Sequence, residues 1–413
     1  MSVETLSMNN EFDQTPEREK LEVEKKFNLI EPFFFDFLKQ QCEVKTIEQL
    51  YVSHPNDEFS LRLRETISPN GTVYSAALKE RGEIAQNGIE RLETPTFIDK
   101  SAFDFYKEQG VHAILTKQRV EPVPGVTIDW INGWDQPIVE IEDIATNEEA
   151  QFFYQIYRDQ LIDRSGESMV DNEYIAHMLS GKNPESSTSG ELDPRAVADE
   201  ILAYRRAGVK NMVVGISGRS GSGKTTLANQ VERLLQGTGN QNITVARVST
   251  DDYHLGKTQL DTINGSPWEN WDAPEVYDTK TLAFDLWSLL QGEAIDKRYF
   301  DFVSQEPHVN GEVRPADIII VEGIHAGSQD LAKVRQLHFN LGVPLATCVG
   351  RDLERIRSLG RANDSISTPE QRLRYQIEIA EPTYLALEMP RRNSWSASMR
   401  PVGATALKIM QQT

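Results

Sequence analysis

The chain of 413 residues has 39% hydrophobic and 26% charged residues, a composition that predicts a globular protein of two or three domains. Its net charge of −20 argues against a general nucleic-acid binder or a binder of anionic membranes, because both need a basic surface. Cys42 and Cys348 are too few and too far apart for a disulfide framework, and no apolar run is long enough to span a membrane. We therefore expect a cytoplasmic protein.

The N-terminal half shows a repeated alternation of charged and apolar residues. Residues 1–18 are polar and without periodicity, so we expect a disordered tail and no signal peptide. From residue 19 to 180, strand-like segments such as Leu61-Arg62-Leu63-Arg64 put charges on one face and leucines on the other. Each segment alone could be a solvated strand face. Their repetition predicts a closed antiparallel β-barrel with a charged lumen.

The predicted lumen carries both acids and bases. Basic side chains suit phosphate oxygens, and clustered carboxylates suit Mg²⁺ or Mn²⁺. The acids begin with Glu22 and Glu24 on the first segment and end with Glu140 and Glu142 on the last. The bases are Lys26, Arg62, Arg64, Lys79, Arg91, Lys117 and Arg119.

The opening Glu22-x-Glu24-x-Lys26 and the order of the later charges resemble the CYTH domain, or triphosphate tunnel metalloenzyme. The resemblance covers roughly residues 19 to 180 and implies an eight-stranded tunnel of the α+β class. Members hydrolyse inorganic triphosphate, pyrophosphate, thiamine triphosphate or RNA 5′-triphosphate, or cyclise ATP. By this resemblance the four glutamates would hold metal and the seven bases would hold phosphates. Pro95 stands where many members carry a further acid.

A junction follows the predicted barrel. Residues 152–163 and 172–179 have helical periodicity, and residues 181–193 form a polar, Ser/Gly-rich linker. Asp193-Pro194 predicts the start of a helix to about Arg206, with Asp as N-cap and Pro at the first helical position. We therefore place a second domain at residues 194–413.

The second domain contains the phosphate-binding pattern G-x-x-x-x-G-K-[ST]. An apolar strand, 212–216, precedes it and a helical stretch follows, so a helix N-terminus would point at the phosphates. This context disfavours a chance Gly/Ser loop. Lys224 would contact the β/γ-phosphates and Thr225 would bind Mg²⁺. The predicted ATP-binding residues are Gly218, Ser220, Gly221, Ser222, Gly223, Lys224, Thr225 and Thr226.

Acidic and basic residues then follow at the ends of predicted strands and along a helix. Asp251 comes after the strand 243–248, where it could act as a base or only cap the next helix. Glu322 ends the apolar strand 318–321 and would sit beside Mg²⁺. The arginines Arg351, Arg355, Arg357, Arg361, Arg372 and Arg374 could neutralise charge during phosphoryl transfer or pair with nearby acids.

This half resembles the uridine kinase and phosphoribulokinase family of P-loop kinases, over about residues 195 to 400. The carrying segments are 218–226, 249–254, 270–274, 299–302, 321–324, Gly360-Arg361 and Glu381-Pro382. The resemblance implies an α/β kinase with a parallel sheet, in which Asp251 is the catalytic base and Arg361 belongs to a lid. It also implies that Asp272 holds ribose hydroxyls and that Phe300 lies at the acceptor.

The leading hypothesis is a bifunctional enzyme that uses ATP and a divalent metal. The kinase half would phosphorylate a nucleoside or related small hydroxyl substrate, and the tunnel would hydrolyse triphosphate or pyrophosphate. Alternatively the tunnel is the only catalyst and the kinase half is a nucleotide-binding regulatory module, or both pockets bind nucleotide without turnover. Expected partners are nucleotides and small phosphorylated metabolites, not nucleic acid or membrane, and the oligomeric state stays open.

Overall fold

The computed structural model describes residues 19–85, 88–110, 113–184, 190–237, 243–359 and 368–387. The predicted disordered tail, the middle of the predicted linker and Arg361 lie outside these residues. Within the described ranges, no helix is both long and apolar enough to cross a membrane.

The N-terminal half is a barrel surrounded by short helices. Its strands are β1 (Lys20–Leu29), β2 (Val44–Tyr51), β3 (Phe59–Ser68), β4 (Gly71–Glu80), β5 (Glu83–Ala85), β6 (Gly88–Phe97), β7 (Ala113–Val123), β8 (Val126–Ile131), β9 (Ile138–Glu142) and β10 (Leu161–Asp163). Its helices are α1 (Phe33–Leu38), α2 (Lys100–Gln109), α3 (Glu148–Tyr157) and α4 (Asn172–Leu179).

Antiparallel pairing closes these strands into a ring. In the described part of the chain the sheet order is β10-β1-β9-β8-β7-β2-β3-β4-β6-β5, and a further pairing of β1 with β6 joins the two sides. The closed circuit therefore contains the eight strands β1, β9, β8, β7, β2, β3, β4 and β6, as predicted. Leu61 and Leu63 are fully buried outside the ring, while Arg62 and Arg64 face the bore. The period of two along each strand separates a charged lumen from an apolar outer core.

Two local features differ from the sequence expectations. The sequence analysis predicts no strand at Val44–Tyr51, but this segment forms β2 of the barrel. The helix expected over residues 152–163 ends at Tyr157, and Leu161–Asp163 pairs with β1 instead. Ladder hydrogen bonds to an existing strand override weak helical periodicity in so short a segment.

The C-terminal half is an α/β layer structure. Its strands are β11 (Met212–Gly218), β12 (Val245–Ser249), β13 (Ile295–Asp301), β14 (Glu306–Val313), β15 (Ile318–Glu322) and β16 (Leu337–Leu341). Its helices are α5 (Pro194–Arg206), α6 (Lys224–Gly237), α7 (Lys257–Asn264), α8 (Thr279–Leu290), α9 (Leu345–Leu359) and α10 (Pro369–Tyr375). The parallel sheet has the order β12-β15-β11-β16 among the described strands, and β13 and β14 form a separate hairpin.

The apolar strands predicted from sequence occupy the centre of this sheet. Every residue of β11 and β15 is buried, as expected for parallel strands covered by helices on both faces. Helix α5 begins as predicted, with the Asp193 carboxylate accepting a hydrogen bond of 3.0 Å from the Arg195 amide. The predicted parallel α/β architecture is therefore confirmed.

The two halves share a hydrophobic core. Side chains of β3, β4 and α2 pack in one cluster with side chains of α9, α10 and the π-helical turn Gln376–Ala380 that follows. Representative members are Leu61 and Phe103 on the barrel side and Leu353 and Ile377 on the other side. The domain boundaries at residues 180 and 194 stay a prediction, but the two units are joined by more than their linker.

Candidate functional sites

The bore of the barrel contains the predicted acids and bases. A cavity of about 250 Å³ is lined by Glu22, Glu24, Lys26, Arg62, Arg64, Lys79, Arg91, Arg119, Glu140 and Glu142. Cross-strand pairing places Glu24 opposite Glu142 and Lys26 opposite Glu140. Lys117 lies behind this lining, where it contacts Asp129.

Opposite charges in the bore neutralise one another. The Lys79 ammonium lies 2.6 Å from a Glu22 oxygen, and the Arg91 Nε lies 3.1 Å from the same oxygen. Burial raises the pKa of Glu22, but Lys79 and Arg91 more than offset it, so the net pKa is lowered. Further ion pairs join Arg91 to Glu24, Lys26 to Glu140 at 3.2 Å, Arg119 to Glu140 at 2.9 Å and Arg62 to Glu93 at 2.9 Å.

Arg64 differs from the other bases in the bore. Among the described residues it forms no ion pair within 4.0 Å, and its buried Nε has no hydrogen-bond partner. Burial, together with the neighbouring charges of Arg62 and Arg119, lowers the pKa of Arg64 to about 9. Three guanidiniums therefore face the bore; Arg62 and Arg119 have acidic partners, whereas Arg64 has none within 4.0 Å among the described residues. Such a site suits an oxyanion.

The predicted metal ligands are oxygen donors, which suit Mg²⁺ or Mn²⁺. Across the ranges that the structure describes, no three acidic, His or Cys side chains converge on a point where a metal could sit. Glu22, Glu24 and Glu140 instead accept hydrogen bonds from lysine and arginine. Glu142 is 3.4 Å from Lys20, and burial raises its pKa. The carboxylate oxygens fit a divalent cation, and its binding would require the glutamates to exchange their lysine and arginine partners for the metal.

Some residues that line the bore were missed from sequence. Tyr51 comes from β2, and Asp171, Asn172 and Glu173 come from the start of α4. The Asn172 amide donates to Glu140 at 3.1 Å, and Arg81 donates to Glu173 at 2.6 Å. Asp171 directly precedes the helical stretch, a typical position for an N-cap residue. No nearby residue pattern indicated that α4 would lie at the end of a barrel.

The phosphate loop connects β11 to α6, as predicted. Gly221 and Gly223 have φ values of 77° and 87°, which favour glycine. A Cβ on Gly221 would overlap the carbonyl of Cys348, so this position also needs glycine for space. The Lys224 ammonium donates to the Arg219 carbonyl at 2.7 Å. The loop therefore has the backbone shape that its sequence indicates, with Lys224 at the start of α6.

Three polar side chains meet beside this loop. The Thr225 hydroxyl lies 3.2 Å from both oxygens of Glu322, which ends β15. Burial raises the pKa of Asp251, with Lys224 opposing it, and burial together with the charge of Asp251 raises the pKa of Glu322. Two desolvated carboxylates beside a hydroxyl and an ammonium form a donor set that fits Mg²⁺ and a phosphate chain.

Aromatic residues surround the predicted acceptor side. The His254 ring lies 4.7 Å from Phe300 and 4.1 Å from Tyr277, measured between ring centroids. Burial lowers the pKa of His254 to about 3, so the ring is neutral at pH 7. The carboxylate of Asp272 accepts a hydrogen bond of 2.6 Å from the Tyr375 hydroxyl. The ring of Trp271, which precedes Asp272 in the chain, lies 6.3 Å from the Phe300 ring, so Asp272 and Phe300 lie in one neighbourhood.

The described arginines of α9 and α10 pair with acids. Arg351 contacts Glu58 at 3.0 Å and Glu191 at 2.9 Å. Further ion pairs join Arg355 and Arg372 to Asp352, Arg357 to Glu19 and Glu80, and Arg374 to Asp99 and Glu378. Several of these acids belong to the barrel, a connection that sequence analysis did not foresee.

Known proteins resemble the two halves separately. Residues 213–369 match the model of the phosphoribulokinase/uridine kinase family. The uridine kinase of Brevibacillus brevis is 32% identical over 193 residues, which are 44% of this chain and 80% of that protein. Uridine kinase-like protein 4 of Arabidopsis thaliana is 26% identical over 193 residues, which are 47% of this chain and 38% of that protein.

A solved inorganic triphosphatase, NE1496, is similar at 22% identity with a TM-score of 0.26, over 38% of this chain and 93% of that one. The sequence relationship to the kinases rests on a segment that contains the phosphate loop, Asp251 and Glu322. Through its C-terminal half, the chain belongs to the phosphoribulokinase/uridine kinase family.

Proposed function

We propose that the protein is a bifunctional phosphate-handling enzyme. Its C-terminal site transfers the γ-phosphoryl group of ATP to a hydroxyl of a nucleoside or a related small metabolite. Its barrel hydrolyses triphosphate or pyrophosphate in a metal-dependent reaction. Family membership supports the kinase activity, and the charge arrangement in the bore supports the second activity.

In the kinase site, Lys224 places a positive charge at the β- and γ-phosphates, whose remaining oxygens bind the backbone amides of the loop. Asp251 accepts the proton of the acceptor hydroxyl as the hydroxyl oxygen attacks the γ-phosphorus of ATP; the bond from this phosphorus to the β–γ bridging oxygen breaks, and ADP leaves. Thr225 and Glu322 would hold Mg²⁺, which screens the negative charge of the phosphate oxygens when it is bound. Asp272 and Phe300 hold the acceptor. Arg361, outside the described residues, stays a candidate for the lid.

In the barrel, the bases bind the phosphate chain, and the four predicted glutamates are the candidates for the metal. The observation that carries this part is Arg64, a half-buried guanidinium whose buried Nε has no hydrogen-bond partner and which forms no ion pair within 4.0 Å among the described residues. Its neighbours are Arg62 and Arg119. A charge left unpaired in a buried cavity is costly unless a ligand compensates it. A phosphate chain supplies oxygens of the required charge and geometry.

The alternative is that the barrel alone is catalytic and the phosphate loop is a nucleotide-binding regulatory site. The Asp251 carboxylate near Lys224 favours turnover over mere binding, because nucleotide binding alone does not need a buried base.

Two variants separate the activities. Phosphate release and products are measured with ATP plus candidate nucleosides, with inorganic triphosphate and with pyrophosphate. Lys224→Ala should abolish phosphoryl transfer while leaving triphosphate hydrolysis intact, and Glu22→Gln should do the reverse. Nucleotide binding without nucleoside phosphorylation across the panel would favour the regulatory alternative. Equal losses of both activities in both variants would contradict two independent sites.

A further inference from the structure

Helix α9 contacts the phosphate loop and the barrel at the same time. The carbonyl of Cys348 occupies the space in which a Cβ on Gly221 would lie, so the helix backbone supports the loop directly. Two residues later, a Cβ on Gly350 would overlap the ring of Phe59, at the start of β3. Two residues along an α-helix correspond to a rotation of about 200° around its axis, so Cys348 and Gly350 lie on roughly opposite sides of the helix. The helix is therefore held between the loop and the barrel wall without spare room on either side.

The wall on which α9 packs is also a wall of the bore. Leu61 and Leu63 of β3 pack in the same core as Leu353 of α9, and Phe59 belongs to that core. The intervening side chains, Arg62 and Arg64, line the charged cavity. One strand thus separates α9 from the region that suits an anion.

Helix α10 makes a second connection of the same kind. The Tyr375 hydroxyl donates to Asp272 on the acceptor side, while the Tyr106 hydroxyl of α2 donates to the Ile377 carbonyl at 3.1 Å. The buried carboxylate of Asp352 on α9 accepts hydrogen bonds from Arg372 at 2.6 Å and from Gln376 at 2.8 Å. These bonds join α9 to α10, so a displacement of the barrel wall would move the two helices together.

We infer that Phe59, with the barrel wall to which it belongs, positions the phosphate loop through α9, and that the nucleotide site and the bore are thereby thermodynamically linked. Close-packed interiors transmit displacements, because there is no free volume to absorb them. A ligand bound between Arg62 and Arg64 changes the force on β3, and this change reaches Gly221 through α9. The linkage rests on the proposed anion site in the bore, but the positioning role of Phe59 does not.

The positioning role is tested by binding of a non-hydrolysable ATP analogue with Mg²⁺ to the full chain. Phe59→Leu should weaken binding at least about fivefold, the size of a typical coupling between sites. Phe35→Leu is the matched control, since Phe35 is 1% exposed and Phe59 2% exposed, and Phe35 packs in a barrel core without residues of the kinase half. Equal analogue affinity in the two variants would refute the positioning role.

Two complementary changes of side-chain size distinguish loss of positioning from loss of folding. Gly350→Ala pushes α9 away from Phe59 and should also weaken analogue binding, whereas Gly350→Ala combined with Phe59→Leu should recover part of the loss. Circular dichroism and thermal unfolding report on folding in each case. Losses that simply add in the double variant would show that Phe59 does not act through α9.

The linkage is tested by titrating the analogue with and without saturating inorganic triphosphate, and by the reverse titration. The two affinity changes should agree and should be at least about fivefold, because linkage is reciprocal. Arg64→Met separates this effect from direct competition at the phosphate loop, since competition persists in the variant and linkage does not. If triphosphate binds in the bore and the analogue affinity stays within about twofold, the linkage is refuted. If triphosphate does not bind in the bore, the proposed barrel function fails, and with it the linkage, while the Phe59 result stands.

Discussion

The Lys117 ammonium donates a hydrogen bond of 2.6 Å to the Asp129 carboxylate, and both side chains are completely buried in the barrel. Arg119 donates to the same carboxylate, with its Nε 2.6 Å from an Asp129 oxygen. Burial lowers the pKa of Lys117 to about 7, with Asp129 opposing this shift. Asp129 is thus the shared counter-ion of two bases beside the cavity.

Removal of this counter-ion should destabilise the barrel. Asp129→Asn leaves Lys117 and Arg119 without their shared carboxylate, and the free energy of unfolding should fall by about 3–5 kcal/mol. The double variant Asp129→Leu with Lys117→Met should restore most of the loss, because the buried ammonium is removed and Arg119 keeps Glu140 as a counter-ion at 2.9 Å. Urea unfolding of the three proteins measures this, and a double variant no more stable than the single one would contradict it.

Arg64→Met should stabilise the protein but weaken its binding of triphosphate. Burial and the charges of Arg62 and Arg119 disfavour the Arg64 guanidinium, so the variant should gain about 1 kcal/mol in the free energy of unfolding. Its affinity for inorganic triphosphate should fall about 10- to 100-fold, the value of a charge-assisted hydrogen bond. Arg158→Met, at an exposed arginine, is the control and should change neither quantity. Unchanged triphosphate affinity in Arg64→Met would count against an anion site in the bore.

The rate of phosphoryl transfer should fall at acidic pH. A general base must be deprotonated, and burial raises the pKa of Asp251. The rate of phosphoryl transfer should therefore be maximal above that pKa and should fall as the pH decreases through it. Asp251→Asn should lower kcat about 10²- to 10⁴-fold.

Asp252 is the control for this pH dependence. Burial and the charge of Asp251 raise the pKa of Asp252 to about 6, so its titration could be mistaken for that of the base. Asp252→Asn should retain turnover and the acidic fall in rate. A pH profile that becomes flat in Asp252→Asn would identify Asp252, and not Asp251, as the group that titrates.

Thr225→Val should raise the Mg²⁺ concentration that the kinase reaction requires, without changing the metal requirement of triphosphate hydrolysis. The substitution keeps the shape of the side chain and removes the hydroxyl that lies 3.2 Å from Glu322. The Mg²⁺ concentration for half-maximal phosphoryl transfer should rise about 10-fold or more. Triphosphate hydrolysis in the same sample is the internal control and should keep its metal dependence. A parallel change in both reactions would contradict separate metal sites.

The extent of successful prediction differs between the two sites. The phosphate loop is a run of consecutive residues, so its pattern predicted the positions of Lys224 and Thr225 directly. The bore was predicted from the alternation of Arg62 and Arg64 with leucines, which fixes the face of a strand but not its neighbours. The sequence did not predict the strand β2 and its bore-lining Tyr51, because a single alternating segment carries little information about closure of a barrel.

The arginines of α9 and α10 show the limit most clearly. Their sequence allowed either a lid or ion pairs, and the described ones pair with acids that include Glu19, Glu58 and Asp99 of the barrel half. Glu19, one of the two acidic partners of Arg357, lies 338 positions earlier in the chain. Local periodicity places an arginine on a helix face, whereas the acid that neutralises it depends on which surfaces pack together.

The amino-acid order alone determined the phosphate loop, the alternating strands and the kinase family, because each of these depends on residues close together in the chain. The tertiary structure decided which acid faces each base, that Arg64 lacks a counter-ion among the described residues, and that α9 is shared by both halves. These properties arise from contacts between segments that are distant in sequence, and only packing of the whole core brings such segments together.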